Sequence, residues 1–373
     1  MRDALVITIT IIGISLFAGY VYNIMRPHFE QIGILQPAES RAYTAPDGGV
    51  FRSSDNGQSW RQLTNIKDEQ RNFLSSDVFN IEFSPDNPDV IYIATSRGAY
   101  ISANSGDEWS AFVSGALGLG EPVYAIAIDP KHTQRIYIST SSSGGGGRIL
   151  KSQGAGFYAV YSTVDYMDNI LGIWVDPFNA NILYAGTQSG LLLVSNDFGE
   201  SWQIRKEFSE PVRDLSMLPS DTRVLYATIG IGNIFKSTNQ GLSWQDISTP
   251  LKNRYKESFT INQLIIDPHN ESKIYLATNF GLLNSQNMGF SFSEIELLVA
   301  GADPEVFSMG LDPNIPNVIY IGVDSQIHKS IDGGESWQSK KLSTPRSISI
   351  IHVKKNDSRV IFAGVSYSHN VKK

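Results

Sequence analysis

The apolar positions of the chain fall into two regimes. Residues 4–25 (ALVITITIIGISLFAGYVYNIM) run without a charge, and about 20 apolar residues at a rise near 1.5 Å suffice to cross the hydrocarbon core of a bilayer. Nothing polar gives this run an amphipathic face. It predicts one N-terminal transmembrane helix, with residues 1–25 as a retained anchor. A cleavable signal needs small residues before the cut, and cleavage after Ala18 would put Leu16 at the third place back. Secretion after such a cut is the alternative. Residues 26–43 show no periodicity and read as a stalk, and residues 368–373 read as a tail. Across 44–367 the pattern changes to short β-branched and aromatic runs punctuated by Gly, Pro, Asn and Asp, the pattern of strands joined by tight turns.

These runs repeat. A strand ends near Pro85, Pro130, Pro177, Pro219, Pro268 and Pro313, and seven residues on the next strand carries Tyr92, Tyr137, Tyr184, Tyr226, Tyr275 and Tyr320. A third strand then leads into an eight-residue motif, S-x-D-x-G-x-x-W, in Ser53 to Trp60, Ser195 to Trp202 and Ser330 to Trp337. Asn replaces Asp in Ser102 to Trp109 and Ser237 to Trp244. The copies at Ser285 to Phe292 and Ser152 to Ala159 are eroded. A fourth strand leaves from the Trp, so each unit of roughly 45 residues is a four-stranded antiparallel meander, the signature of a propeller blade. The first motif has no hairpin before it, whereas Ser347 to Val365 is a hairpin without a motif after it. Joining the two closes a ring of seven blades, an all-β fold.

Composition narrows the chemistry. The 32 Gly, 16 Pro and 18 Phe, 16 Tyr and 6 Trp fit a turn-rich β protein. A net charge of −7 provides no global basic field for nucleic acid. The absence of Cys removes disulfides, thiol catalysis, cysteine zinc sites and lipidation through Cys. His28, His132, His269, His328, His352 and His369 lack ligand spacing, and no phosphate-binding loop is present, so neither a metal nor a cofactor is expected. The run Gly144 to Gly147 reads as a flexible loop.

Within the motif, Asp55, Asp197 and Asp332, and the Asn104, Asn239 and Asn287 that replace them, are expected to accept backbone N–H bonds inside their own turns. Trp60, Trp109, Trp202, Trp244 and Trp337 are expected to pack between blades. Seven symmetrically placed copies cannot share one catalytic site, so these are structural assignments. The motif resembles the Asp-box, or bacterial neuraminidase repeat, over about residues 48–365. Asp-boxes are shared by sialidases, xyloglucan-hydrolysing enzymes, sortilin-type receptors and photosystem II stability and assembly factors. The resemblance implies a fold and leaves the activity open.

In propellers, the loops leading into each first strand and those joining the second strand to the third share one face around the central channel. Just before the first strands stand Asp77, Glu121, Asp168, Glu210 and Glu305, with Arg346 near the seventh. These acids are expected to form a negative rim at the channel mouth, with Arg213 and Arg346 beside them, able to receive a cationic segment of a partner. A second, basic cluster comprises Arg205, Lys206, Arg213, Lys252, Arg254, Lys256, Lys340, Lys341 and Arg346. A single propeller behind an N-terminal targeting segment is most similar to the photosystem II assembly factors. That likeness implies a non-catalytic, membrane-anchored scaffold on the extracytoplasmic side with a protein partner, such as a subunit of a membrane complex. The alternative is a glycan-acting or glycan-binding protein, sialidase-like or another glycoside hydrolase, for which two suitably spaced carboxylates are required.

Overall fold

The computed structural model describes residues 47–367 apart from 68–72, 113–116, 118–119, 142–143, 154–155, 256–258 and 298–303. The expected anchor, stalk and tail lie outside the described residues. Among the described residues no helix is long and apolar enough to cross a membrane.

Seven four-stranded antiparallel sheets make the ring. The innermost strands, from blade one to blade seven, are Val78–Phe83, Val123–Ile128, Ile170–Val175, Val212–Leu218, Ile261–Ile266, Ser308–Leu311 and Ser347–Val353. Blade seven closes as the spacing predicts. Its two inner strands, Ser347–Val353 and Ile361–Ser366, are C-terminal, and its outer two, Val50–Ser53 and Arg61–Gln62, come from the start of the propeller, with Val50 opposite Gly364 and Ser53 opposite Ile361. The second strands, such as Ile91–Thr95, Leu183–Thr187, Ile274–Thr278 and Ile319–Val323, are buried at every residue. They lie between neighbouring blades, covered on both sides, and so carry unbroken apolar runs instead of alternation. Outermost strands such as Gln203–Glu207 and Gln338–Lys341 are largely or wholly exposed.

Hydrogen bonds separate the two faces of the ring. On the upper face, the loop leading into a blade accepts from the loop between its second and third strands: Ser96 N–H to Asp77 O, Gln188 N–H to Asn169 O, Gly230 N–H to Pro211 O and Asn279 N–H to Thr260 O. On the lower face, the fourth residue of the repeated turn donates to the hairpin turn of the same blade: Asn56 N–H to Arg359 O, Phe198 N–H to Asn181 O, Gln240 N–H to Arg223 O and Met288 N–H to Ser272 O. These fourth residues sit at φ of 58–60° without being glycine, a strained setting held by bonds on both sides of the residue. The carbonyls of Phe198, Gln240 and Met288 accept from Tyr137, Tyr184 and Tyr226 of the preceding blade at 2.8, 3.4 and 3.1 Å. The repeated tyrosine and the repeated turn are therefore two halves of one clamp between blades.

Inside the turn, Asp55 and Asp197 accept from Ser59 N–H and Ser201 N–H at 2.9 Å, and Asn104, Asn239 and Asn287 make the same bond with one oxygen. The serine hydroxyls that follow them, donating to the other oxygen, help hold the Asp55 and Asp197 carboxyls down at about 2, and the Asp332 carboxyl is lowered in the same way. Trp60, Trp202, Trp244 and Trp337 donate their indole N–H to the glycine carbonyl of their own turn. Trp109 is buried against Phe73 in an edge-on contact. In blade two, where the motif is eroded, the strands Gly147–Gln153 and Gly156–Ser162 pair from Gln153 opposite Gly156 onward, with a register shift between Ala159 and Tyr161. Phe157 stacks edge-on with Phe112, which in turn meets Tyr92, so aromatic packing stands where the turn would be.

Candidate functional site

The channel wall is made by the innermost strands, and six of them bulge at the same place, one residue after the leading Val or Ile. A bulge re-aims side chains, and here polar groups of the wall are used between blades. Asn80 Oδ1 accepts from Ile126 N–H at 3.1 Å, and Gln263 Oε1 from Met309 N–H at 2.7 Å. Three titratable groups of the wall follow the same register: Glu82, Asp214 and His352. They are deep in the ring yet partly accessible to solvent. Burial pushes the Glu82 carboxyl up to about 7, against a bond from Asn80, and the Asp214 carboxyl up to about 6, against bonds from Leu215 N–H and Trp174. Burial also depresses His352 to about 4, so it is neutral at pH 7. Nothing in the order of residues marked these groups, because Glu82 in Val-Phe-Asn-Ile-Glu-Phe reads as an ordinary polar position of an alternating strand.

A raised carboxyl opposes folding once it ionises. Glu82 binds its proton more tightly in the folded protein than unfolded, so stability falls as pH rises through the interval between 4.5 and about 7. Glu82→Gln removes that cost while keeping an acceptor for Asn80. The variant is expected to be about 2 kcal/mol more stable than the parent at pH 8.5 and indistinguishable from it at pH 4. Urea unfolding at the two pH values checks this; equal gains at both would refute it.

The five carboxylates expected to form a shared rim each have a local partner. Asp77 accepts from Arg346 Nη1 and from Tyr367 N–H, both at 2.7 Å. Glu121 pairs with Arg148 at 2.8 Å. Asp168 is buried and accepts from Ser189 N–H and Oγ at 2.7 and 2.8 Å. Glu210 receives Asn233 and Glu305 receives Asn262. Each is thus tied to a neighbouring group by at least one oxygen, Asp77 and Glu305 across blades and the other three within their own blade. Arg213 reaches Gly230 O at 3.5 Å. The basic cluster divides: Arg205, Lys206, Lys340 and Lys341 lie on outermost strands, away from the channel mouth, and Lys252 and Arg254 are engaged by Asn233 and Glu294. Lys256 lies outside the described residues.

Arg346 is the most heavily used of the expected residues. It is buried, reaches Asp77, Asp47 at 3.0 Å and Ser75 O at 2.9 Å, and lies 4.1 Å from the centre of the Tyr367 ring. Tyr367 donates its hydroxyl to Asp47 at 2.9 Å, and Thr344 donates to Asp47 O. The cluster joins both ends of the propeller at the ring closure.

One part of the upper face is built to be seen by solvent. The loop leading into blade three exposes Val164, Tyr166 (70%) and Met167 (65%). Its backbone is fixed from below by Gly145 and Gly146, at φ of 88° and 79°, where a Cβ would come within 2.9 Å of Tyr166 O or 2.8 Å of Thr163 Oγ1. Gly146 and Gly147 are buried beneath the loop, while Gly144 and Gly145 are exposed. Beside the shelf, Asn169 and Gln188 pair their side-chain amides at 3.0 Å.

Fold and faces define the class: a seven-bladed β-propeller with a polar channel and an aromatic shelf on its upper face. No family model matches the chain. It is similar to a xyloglucanase of Hypocrea jecorina, 28% identical over 158 residues, 42% of this chain and 17% of that protein. It is also similar to an oligoxyloglucan-reducing end-specific xyloglucanase of Emericella nidulans, 25% identical over 190 residues, 44% of this chain and 23% of that protein. The chain thus spans about a fifth of the length of the curated relatives it matches. Among solved structures, the GH74 xyloglucanase from Xanthomonas campestris matches with a TM-score of 0.64 at 15% identity, covering 82% of this chain and 52% of the other. YCF48 from Cyanidioschyzon merolae matches with a TM-score of 0.62 at 13% identity, covering 82% and 98%. These structural likenesses show the fold. The sequence relatives correct the expectation of a non-catalytic scaffold: both are xyloglucanases, and they favour the glycan-acting alternative.

Proposed function

We propose that the chain is a glycan-acting propeller that engages a neutral glucan-based polysaccharide of the xyloglucan type on its upper face. The observation that carries this reading is that both curated relatives are xyloglucanases. The geometry adds a place. Tyr166 offers an exposed ring on which the C–H face of a sugar can lie, and the Asn169–Gln188 pair and Asp165 offer donors and acceptors to hydroxyls beside it. Glycoside hydrolysis further needs a carboxyl that holds its proton near neutrality. Asp214, two residues below the start of its strand at the channel mouth, keeps its proton up to a pH of about 6, and we assign it proton donation to the glycosidic oxygen as the bond to the anomeric carbon breaks; water supplies the new bond at that carbon, and the proton it sheds restores the Asp214 acid.

Tyr166→Ala leaves the buried frame untouched and removes the shelf. Its dissociation constant for a xyloglucan oligosaccharide, measured by titration calorimetry, is expected to rise about tenfold. An unchanged constant would take the contact away from this loop.

A further inference from the structure

A second feature of the molecule is a cavity on the lower face, between blades two and three. Its volume is about 350 Å³, and its walls include His132, Gln134, Arg135, Lys151, Phe198 and Glu200. It stands next to the blade that has lost the repeated turn. The neighbouring turn that bears Phe198 remains, and the hairpin of blade two leaves Tyr158 and Phe198 37% and 38% exposed.

The lining has a definite chemistry. Arg135 pairs with the fully buried Asp129 at 2.6 Å, and Lys151 pairs with Glu200, so the two most embedded cations already face carboxylates. Tyr158 also donates to Glu200, at 3.2 Å. An anionic ligand would have to compete with these carboxylates, and a purely apolar one would strand the charges. The Arg135 guanidinium lies 4.3 Å from the centre of the Phe198 ring, so donors, acceptors and the remaining aromatic surface stand together, which suits a ligand whose hydroxyls each donate and accept and whose ring faces are C–H. We propose that this cavity is a second saccharide site, taking one or two rings of a neutral glycan, separate from the upper-face shelf. It shares with the function proposed above only the kind of ligand.

The indole N–H of Trp202, bonded to Gly199 O at 3.0 Å next to Phe198, reports on the cavity, whereas that of Trp174 reports on the channel. Cellotetraose and glucuronic acid are titrated separately into the ¹⁵N-labelled chain, and the six tryptophan indole resonances are followed. Cellotetraose is expected to shift Trp202, and glucuronic acid is not. Phe198→Asn recreates the residue at the same turn position in Asn56, which holds the same φ of 60°, so the fold is kept and the other indole resonances stay in place. This variant is expected to bind about tenfold more weakly at Trp202, while Tyr166→Ala binds there as the parent does. The proposal is overturned by an unmoved Trp202, by equal shifts in Phe198→Asn, or by a response to glucuronic acid alone. A shift confined to Trp174 likewise overturns the cavity, and leaves the upper-face reading standing.

Discussion

Arg346→Ala is expected to cost about 3 kcal/mol of folding stability. The guanidinium is buried and holds two carboxylates, Asp47 and Asp77, that belong to the start of the ring, while Arg346 and Tyr367 belong to its end. Removing the cation leaves two carboxylates without their counter-charge. They are each about one-fifth exposed, at 22% and 21%, which puts the cost at the lower end of that for a broken buried pair. It also removes a tie across the non-covalent seam. Arg346→Lys retains the charge but not the fork that reaches both carboxylates, so it should fall between the parent and Ala. Urea unfolding measures all three. A loss below about 0.5 kcal/mol for Ala would place the cluster among inconsequential ion pairs.

The second large effect concerns chemistry. Asp214→Asn keeps the shape of the side chain and the acceptor for Leu215 N–H but cannot give up a proton. Release of reducing ends from xyloglucan is expected to drop by about 10²–10⁴-fold, with the dissociation constant little changed. The pH dependence has a definite sign. An acid whose pKa is raised to about 6 is protonated below that value, so turnover by the parent should decline as pH climbs through 6 and approach a tenfold loss per unit above it. An equal pH profile in Asp214→Asn and the parent would remove Asp214 from the role.

Much of the fold could be read from residue order because its devices are local and repeated. The spacing from Pro130 to Tyr137 and the turn Ser195 to Trp202 recur through the chain, and a hairpin without a motif at one end matched a motif without a hairpin at the other. The structure shows why the spacing is held: Tyr137 reaches the carbonyl of Phe198 in the next blade, so a shift in either would break the clamp. The candidate site was less legible. Asp77 was found beside its strand, but its partner Arg346 is 269 positions away, and no local pattern pairs them. Bulges re-aim the innermost strands, so Glu82 and Asp214 face the channel, where simple alternation gave no sign of a shared wall. A single propeller behind an N-terminal targeting segment pointed toward a scaffold, because a motif that stabilises turns is silent about what the opposite face binds.

Engagement of a neutral glucan polysaccharide by this propeller is tested most directly by affinity electrophoresis of the folded chain through native gels with and without embedded xyloglucan. Strong retardation in the xyloglucan gel, reduced in Tyr166→Ala, is the expected result. Identical mobility of the parent in both gels would contradict it.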